Sequence, residues 1–255
     1  MKRLVEKEKK LAELLLLLGV RAGPVFWYDS VQSTMDIAFQ IGMKRPLNHT
    51  LVVSEAQSSG RGQHGRRWYS SRDDLLFSIL LIEYDFRVPY SMVGSYAVFR
   101  ALRRYTDRVR LKWVNDVLWE NGKKVAGVLT EEKDALTVIG IGVNLNSAKV
   151  DESLTNRATS FYIETGQPIQ KEVFIRDIMV ELVPLLEEAN GPGLATILSN
   201  WERDSGLRGR HAVVESEGKP YSGTVIGIDR HTGALLTESN GKRRIFYDGA
   251  ILSID

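Results

Sequence analysis

Asn121-Gly122 stands between two strand-like runs, Val117 to Glu120 and Lys123 to Thr130. Asn-Gly in that setting is the strongest short-range signal for a hairpin with a type I′ turn. It commits the middle of the chain to antiparallel pairing. Further runs of strand length occur at Val25 to Tyr28, Leu51 to Val53, Leu75 to Ile82 and Thr137 to Leu145. Helical spacing recurs from Ser30 to Ile41, through Met92, Tyr96, Phe99 and Leu102, and from Ala195 to Arg203. A longer helical stretch runs from Glu172 to Ala189, where Pro184 predicts a kink or break. Strands and helices do not alternate regularly, so an α+β fold around a mixed sheet is favoured over a doubly wound one. From about Gly206 the strands shorten and are separated by turns such as Asp229 to Gly233, Asn240-Gly241 and Asp248-Gly249, which suggests a small separate β-barrel.

The chain begins with Leu4, Leu11, Leu14, Leu15 and Leu18 at helical spacing, closed by Gly19. Glu6, Glu8 and Glu13 interrupt this stretch and no small-residue cleavage site follows it, unlike a signal peptide. It is also too short to span a bilayer, and a cytoplasmic location is expected. Residues 1–22 are therefore read as an N-terminal helix, 23–205 as the main domain and 206–255 as the small one. The absence of cysteine excludes a disulfide framework and thiolate chemistry. The four histidines, His49, His64, His211 and His231, have no metal-ligand spacing, so no protein-borne metal site is expected. A net charge of +2 does not point to nucleic acid or an anionic membrane.

The segment Gly60-Arg61-Gly62-Gln63-His64-Gly65-Arg66-Arg67-Trp68 follows a strand and the polar stretch Ser54 to Ser59. Its glycines match G-x-G-x-x-G, but no apolar helix opens at the third glycine, as a dinucleotide fold requires. Arg forks among exposed backbone amides suit a carboxylate beside a polyphosphate; a solvated basic turn is the plainer reading. Leu111-Lys112-Trp113-Val114-Asn115-Asp116 reads as a strand ending in groups that suit phosphates, sugar hydroxyls and a nucleotide-borne magnesium, or simply a turn. The hairpin then delivers Lys123-Lys124, with Ala126 and Gly127 allowing close approach. Gly140 and Gly142 lie on one face of their strand by period two, leaving room for a flat ligand or for close packing.

In chain order these segments resemble the biotin protein ligase family: Ser33-Thr34, Gln57, the loop from Gly60 to Trp68, Lys112 to Asp116 for K-W-P-N-D with Val114 in place of Pro, Lys124 to Glu131 for K-x-A-G-[IV]-L-x-E, and Gly140 to Asn144 for G-x-G-[IV]-N. The stretch Leu154 to Ser160 resembles the family's adenylate-binding loop. The resemblance implies a biotin/lipoate ligase-type mixed-sheet domain with a C-terminal SH3-like barrel. It implies an enzyme that makes biotinyl-5′-AMP from biotin and ATP with magnesium, then transfers biotin to a lysine of a biotin carboxyl carrier domain. Ser33, Thr34, Gln57 and Arg61 would line the biotin pocket and hydrogen-bond its ureido ring. Gly60, Gln63, Trp68, Gly127, Gly140 and Gly142 would complete that pocket. Arg66 and Lys124 would neutralise carboxylate and α-phosphate charge, with Lys124 stabilising the transition state. Asp116 would join Arg61, Arg66 and Lys124 in the catalytic set. Asn115, Asn144, Ala158 and Trp68 would face the nucleotide.

Beyond Val114, two departures from the family matter. Gln63 stands where an Arg associated with retaining the adenylate is common, which leaves retention open. Met35 replaces a common Asn, implying a small change at the pocket mouth. Two other readings remain: a lipoate or octanoate ligase of the same fold, and a biotin-responsive regulatory protein. Some members carry an N-terminal DNA-binding domain of about 60 residues; about 22 residues precede the pattern here, so no direct operator recognition is expected. A homodimer is compatible with the sequence. Tyr221, Phe246 and Tyr247 are read as packing residues.

Overall fold

The computed structural model describes every residue from Met1 to Asp255. The chain runs through helix α1 (Val5–Leu17), β1 (Val25–Tyr28), α2 (Thr34–Lys44), β2 (Thr50–Ser54), β3 (Leu75–Ile82), α3 (Tyr90–Leu102), β4 (Val109–Lys112), β5 (Asp116–Trp119), β6 (Lys124–Lys133) and β7 (Leu136–Val143). It continues through α4 (Phe161–Thr165), α5 (Lys171–Ala189), α6 (Leu194–Ser205) and strands β8 (His211–Ser216), β9 (Lys219–Ile228), β10 (Leu235–Ser239), β11 (Lys242–Phe246) and β12 (Ala250–Ile254). The first seven strands form one sheet in the order β1-β2-β3-β7-β6-β5-β4, in which only β1 and β2 run parallel.

The near-continuous apolar run of β3 is explained by cover on both faces. Leu75, Phe77, Ile79 and Leu81 face a large core with α3 and α5, whereas Leu80 joins Val52, Val138 and the α2 residues Met35, Ile37, Ala38 and Phe39. Residues directly opposite in the ladder share a face. On the α2 face the pairs Leu80↔Val138, Ser78↔Gly140 and Leu76↔Gly142 therefore lie in successive rows. Across β6 the same rows continue as Glu131, Leu129 and Gly127. Large side chains support α2 in the first row. Where they shrink to Ser78, Gly140, Gly142 and Gly127, a hollow opens at the N-terminus of α2.

The hairpin forms where Asn121-Gly122 predicts it, but with a different turn. Only Gly122 of the pair has positive φ, at 83°. The amide of Gly122 donates to the Trp119 carbonyl and that of Trp119 to Lys123, so the loop has three residues with Gly in the left-handed position rather than a two-residue I′ turn. Helix α5 runs through Pro184 without a break. Pro184 is on the exposed side while Leu182, Val183, Leu185 and Leu186 are buried, so the carbonyl it leaves unpaired faces water and packing holds the helix. Helix α1 buries Leu11 and Leu15 against the main core and ends before Gly19, whose φ is +66°; Leu16, Leu17 and Leu18 are exposed.

The last five strands form an antiparallel sheet in the order β11-β10-β9-β8-β12. Its edges β11 and β12 do not pair with each other, so the expected barrel is open rather than closed. Tyr247, expected to pack, is 71% exposed, whereas Phe246 is buried. No helix is long and apolar enough to cross a membrane.

Candidate active site

The hollow beside α2 is a cavity of about 850 Å³, within the range of small-molecule sites. Its floor is the glycine-rich part of β6 and β7. Its walls are the start of α2, the loop after β2, the ends of β4 and β5, the 154–158 segment, and β12 with Glu215 of the C-terminal sheet. Every residue expected at the site lines it except Gly60, which lies behind the lining. A methyl group at Gly60 would meet the Trp68 carbonyl at 2.9 Å, so that glycine serves the close pairing of the loop's two legs.

One end of the cavity is a polar chain at the start of α2. The Gln57 side-chain oxygen accepts from the Thr34 amide at 2.7 Å and from its hydroxyl at 3.1 Å. The Thr34 hydroxyl also lies 2.7 Å from that of Ser78. Ser33 is the N-cap of α2, almost fully buried, with no capping bond from its hydroxyl. This leaves the Ser33 hydroxyl and the Gln57 amide nitrogen free for a polar ligand group. Ser78 escaped the sequence reading; the cue was a single polar residue inside an apolar strand.

The other end is cationic. Lys124 Nζ lies 2.5 Å from Asp116 Oδ1, yet that buried oxygen receives no aligned hydrogen bond. The ammonium also sits 5.2 Å from the centre of the Trp68 ring. Arg66 and Lys112 line the same end. Burial lowers the Lys112 pKa; Asp116 opposes this and nearby Lys124 and Arg66 add to it. Lys112 belongs to the K-W-x-N-D run but was not among the expected site residues. Asn115 donates to the Val128 carbonyl at 2.5 Å, and Asn144 to the Thr159 carbonyl at 3.0 Å. Both carboxamides thus tie strands and loop together as well as lining the cavity. Ala158 pairs with Lys124 by backbone bridging, and the Trp113–Val114 peptide bond is cis.

The space left by the glycines is taken largely by the protein itself. A methyl on Gly142 would fall 2.5 Å from Trp68 Cε2, and one on Gly140 would fall 2.7 Å from Met35 Sδ. Met35 is therefore a buried filler over β7 that also lines the cavity. Arg61 spends its donors on two carboxylates: Nη1 and Nη2 on Asp36 at 3.0 and 2.8 Å, and Nε and Nη2 on Glu131 at 2.9 Å each. Asp36 first and then Glu131 push its pKa further up. At the loop tip, His64 in the left-handed region approaches Asp248 of the C-terminal sheet, Nε2 to Oδ1 3.4 Å.

A cavity with a neutral polar end and a cationic end, joined under an arginine-glycine loop, suits a polar ring carrying a carboxylate next to a nucleotide. The known proteins it resembles agree. Residues 27–146 match the model of the Biotin/lipoate A/B protein ligase family. The chain is 28% identical over 261 residues to the bifunctional ligase/repressor BirA of Bacillus subtilis, covering 96% of this chain and 80% of that one. It is 27% identical to the biotin--[acetyl-CoA-carboxylase] ligase of Paracoccus denitrificans, over 76% of this chain and 86% of the relative. In three dimensions it matches the biotin protein ligase of Aquifex aeolicus in complex with biotin and ATP, with a TM-score of 0.77 and 26% identity, covering 91% of this chain and 98% of that chain. Fold, motif order and overall likeness converge: residues 27–146 carry a domain that matches the Biotin/lipoate A/B protein ligase family, and the chain is similar over most of its length to biotin protein ligases.

Proposed function

We propose that this protein is an ATP-dependent biotin protein ligase acting in the cytoplasm, with a lysine of a biotin carboxyl carrier domain as acceptor. The observation that carries the reading is one cavity lined by Ser33, Thr34 and Gln57 at one end, with Ser78 behind Thr34, and by Lys112, Lys124 and Arg66 at the other. A ureido group presents N–H donors and a carbonyl acceptor, matching hydroxyls and a carboxamide; a ring lacking them would leave those buried groups unpaired. In the first step a biotin carboxylate oxygen attacks the ATP α-phosphorus, the bond to the β-phosphate bridging oxygen breaks, and biotinyl-AMP and pyrophosphate result. In the second the neutral acceptor amine attacks the mixed anhydride, loses a proton, and AMP leaves as the amide forms. Both steps concentrate anionic charge at the α-phosphate, where Lys124 and Arg66 would stabilise it. Holding the two reactants in register supplies much of the remaining acceleration.

No group of three or more acidic or histidine ligands exists to hold a metal alone. Magnesium would instead arrive with the nucleotide, and Asp116, whose Oδ1 pairs with Lys124 at 2.5 Å, would be the carboxylate nearest to it at this end of the cavity. Arg157 and Glu215 extend the cavity lining beyond the cationic end, so residues 206–255 would serve as a small domain bordering the nucleotide.

Pyrophosphate exchange into ATP tests the reading. Exchange should require biotin, fail with lipoate, and fall about a hundredfold or more in Lys124→Ala, the usual cost of deleting a transition-state charge partner. Exchange with lipoate alone would assign the protein to the sister activity, and exchange with neither acid would refute a ligase.

A further inference from the structure

Glu131 closes the motif that begins at Lys124, yet it lies away from the cationic end and does not line the cavity. Asp36 in the first turn of α2 likewise has no part in the chemistry. Both carboxylates converge on Arg61, through four hydrogen bonds of 2.8 to 3.0 Å. A guanidinium carries five N–H donors, so one Nη1 N–H is left. An isolated exposed pair would contribute little. This is instead a fork-to-fork arrangement on both sides of one planar group, with all three side chains only about a third exposed: 34% for Arg61, 40% for Asp36 and 33% for Glu131.

Its place in the fold gives it a task. Asp36 is two residues beyond Thr34 on α2; Glu131 is on β6, four residues beyond Gly127; Arg61 is four residues beyond Gln57 and bridges to Arg67 in the returning leg of the loop. Three separately anchored walls of the cavity meet at one side chain. If they are not held together, the arrangement that binds biotin is populated only part of the time, and apparent affinity falls by that fraction.

We propose that Asp36 and Glu131 are positioning residues of the site, and that through Arg61 they lock α2, β6 and the arginine-glycine loop into the biotin-binding arrangement. Arg61 on this account is the hub of the lock, not the group that meets the reacting phosphate. The inference rests on the ligase reading for its kinetic consequence but not for the lock itself.

The test uses the full chain with Asp36→Asn and Glu131→Gln together, which keep shape and remove charge. In biotin-dependent pyrophosphate exchange, KM for biotin should rise about tenfold while kcat stays within about twofold, because saturating biotin selects the competent arrangement. Trypsin cleavage of the native protein after Arg66 or Arg67 should accelerate about tenfold and return to the wild-type rate under saturating biotin. Arg61→Lys, which can serve one carboxylate at a time, should fall between wild type and Arg61→Ala in both measurements. Unchanged KM and cleavage would overturn the lock, as would a loss of kcat at unchanged KM, which would give Arg61 or its partners a direct part in the transition state. If wild type itself shows no biotin-dependent exchange, the ligase reading fails, and the cleavage rates of variant and wild type without biotin still decide the lock.

Discussion

Gly140 and Gly142 face the same way on β7, but different neighbours cover them, so a methyl group should have unequal effects. At Gly142 the added carbon would fall 2.5 to 2.8 Å from three atoms of the Trp68 indole, a rigid ring wedged against the sheet. At Gly140 it would meet Sδ and Cγ of Met35 at 2.7 and 2.9 Å, on a side chain with rotatable bonds to spare. Gly142→Ala should therefore cost about 1 to 3 kcal/mol of stability and Gly140→Ala under about 1 kcal/mol. Urea unfolding of the two variants checks this, and equal shifts in midpoint would contradict the assignment of Trp68 as the rigid filler. The period-two spacing made the vacancy legible in the sequence. What fills it was not, because Trp68 and Met35 are distant in the chain and arrive only when the loop and α2 fold over the sheet. Arg61 shows the same limit: its residue type advertised anion binding, but the anions it holds are the protein's own.

At the scale of elements, runs and turns placed nearly every strand and helix, since apolar periodicity is a local property. The failures were decided by tertiary contacts. Pro184 sits in an unbroken helix because the core holds its neighbours, and the Asn-Gly loop took a third residue that shifts the register beside Lys124. A contact no local pattern announced joins α6 to β9: Glu202 accepts from the Ile228 amide at 2.6 Å and from Arg208 at 2.9 Å, with Arg230 at 3.1 Å. Burial pushes this carboxyl up, but the amide and the two guanidiniums outweigh it and hold its pKa below the ordinary 4.5. A carboxylate with a depressed folded pKa contributes stability in full above its unfolded value, and that contribution is lost as pH falls through the folded one. Glu202→Gln should thus cost about 1 to 2 kcal/mol at neutral pH. The gap between variant and wild type should close as pH falls below the ordinary carboxylate range, through the lowered pKa of Glu202. A pH-independent gap in thermal unfolding would mean that the charge is not what joins the two elements.

For the whole molecule, the change of strand pattern near Gly206 suggested a separate unit, and a second sheet does begin there. The apolar faces nevertheless merge. One cluster of 53 buried residues runs from Leu11 and Leu15 of α1 through the main sheet to Val214, Val225, Leu235 and Ile251 of the C-terminal one. Trp113, buried at the end of β4, donates to the Gly233 carbonyl at 3.0 Å across the junction. Sequence shows where strands shorten, but not whether their faces share a core, because that depends on surfaces brought together only by the complete fold. A shared core implies shared cooperativity, although chains of this length often unfold in stages. All five tryptophans, from Trp27 to Trp201, precede the C-terminal sheet, so their fluorescence follows the larger part and, through Trp113 alone, the junction, while far-UV circular dichroism follows both. The two signals should trace one coincident thermal transition, and biotin with ATP should move both together, by about 2.7 kcal/mol at a hundredfold excess over Kd. An early dichroism change that precedes the fluorescence change would mean that the C-terminal sheet melts alone. In that case the Trp113 and Glu202 contacts would be a docking interface between two cores rather than the interior of one.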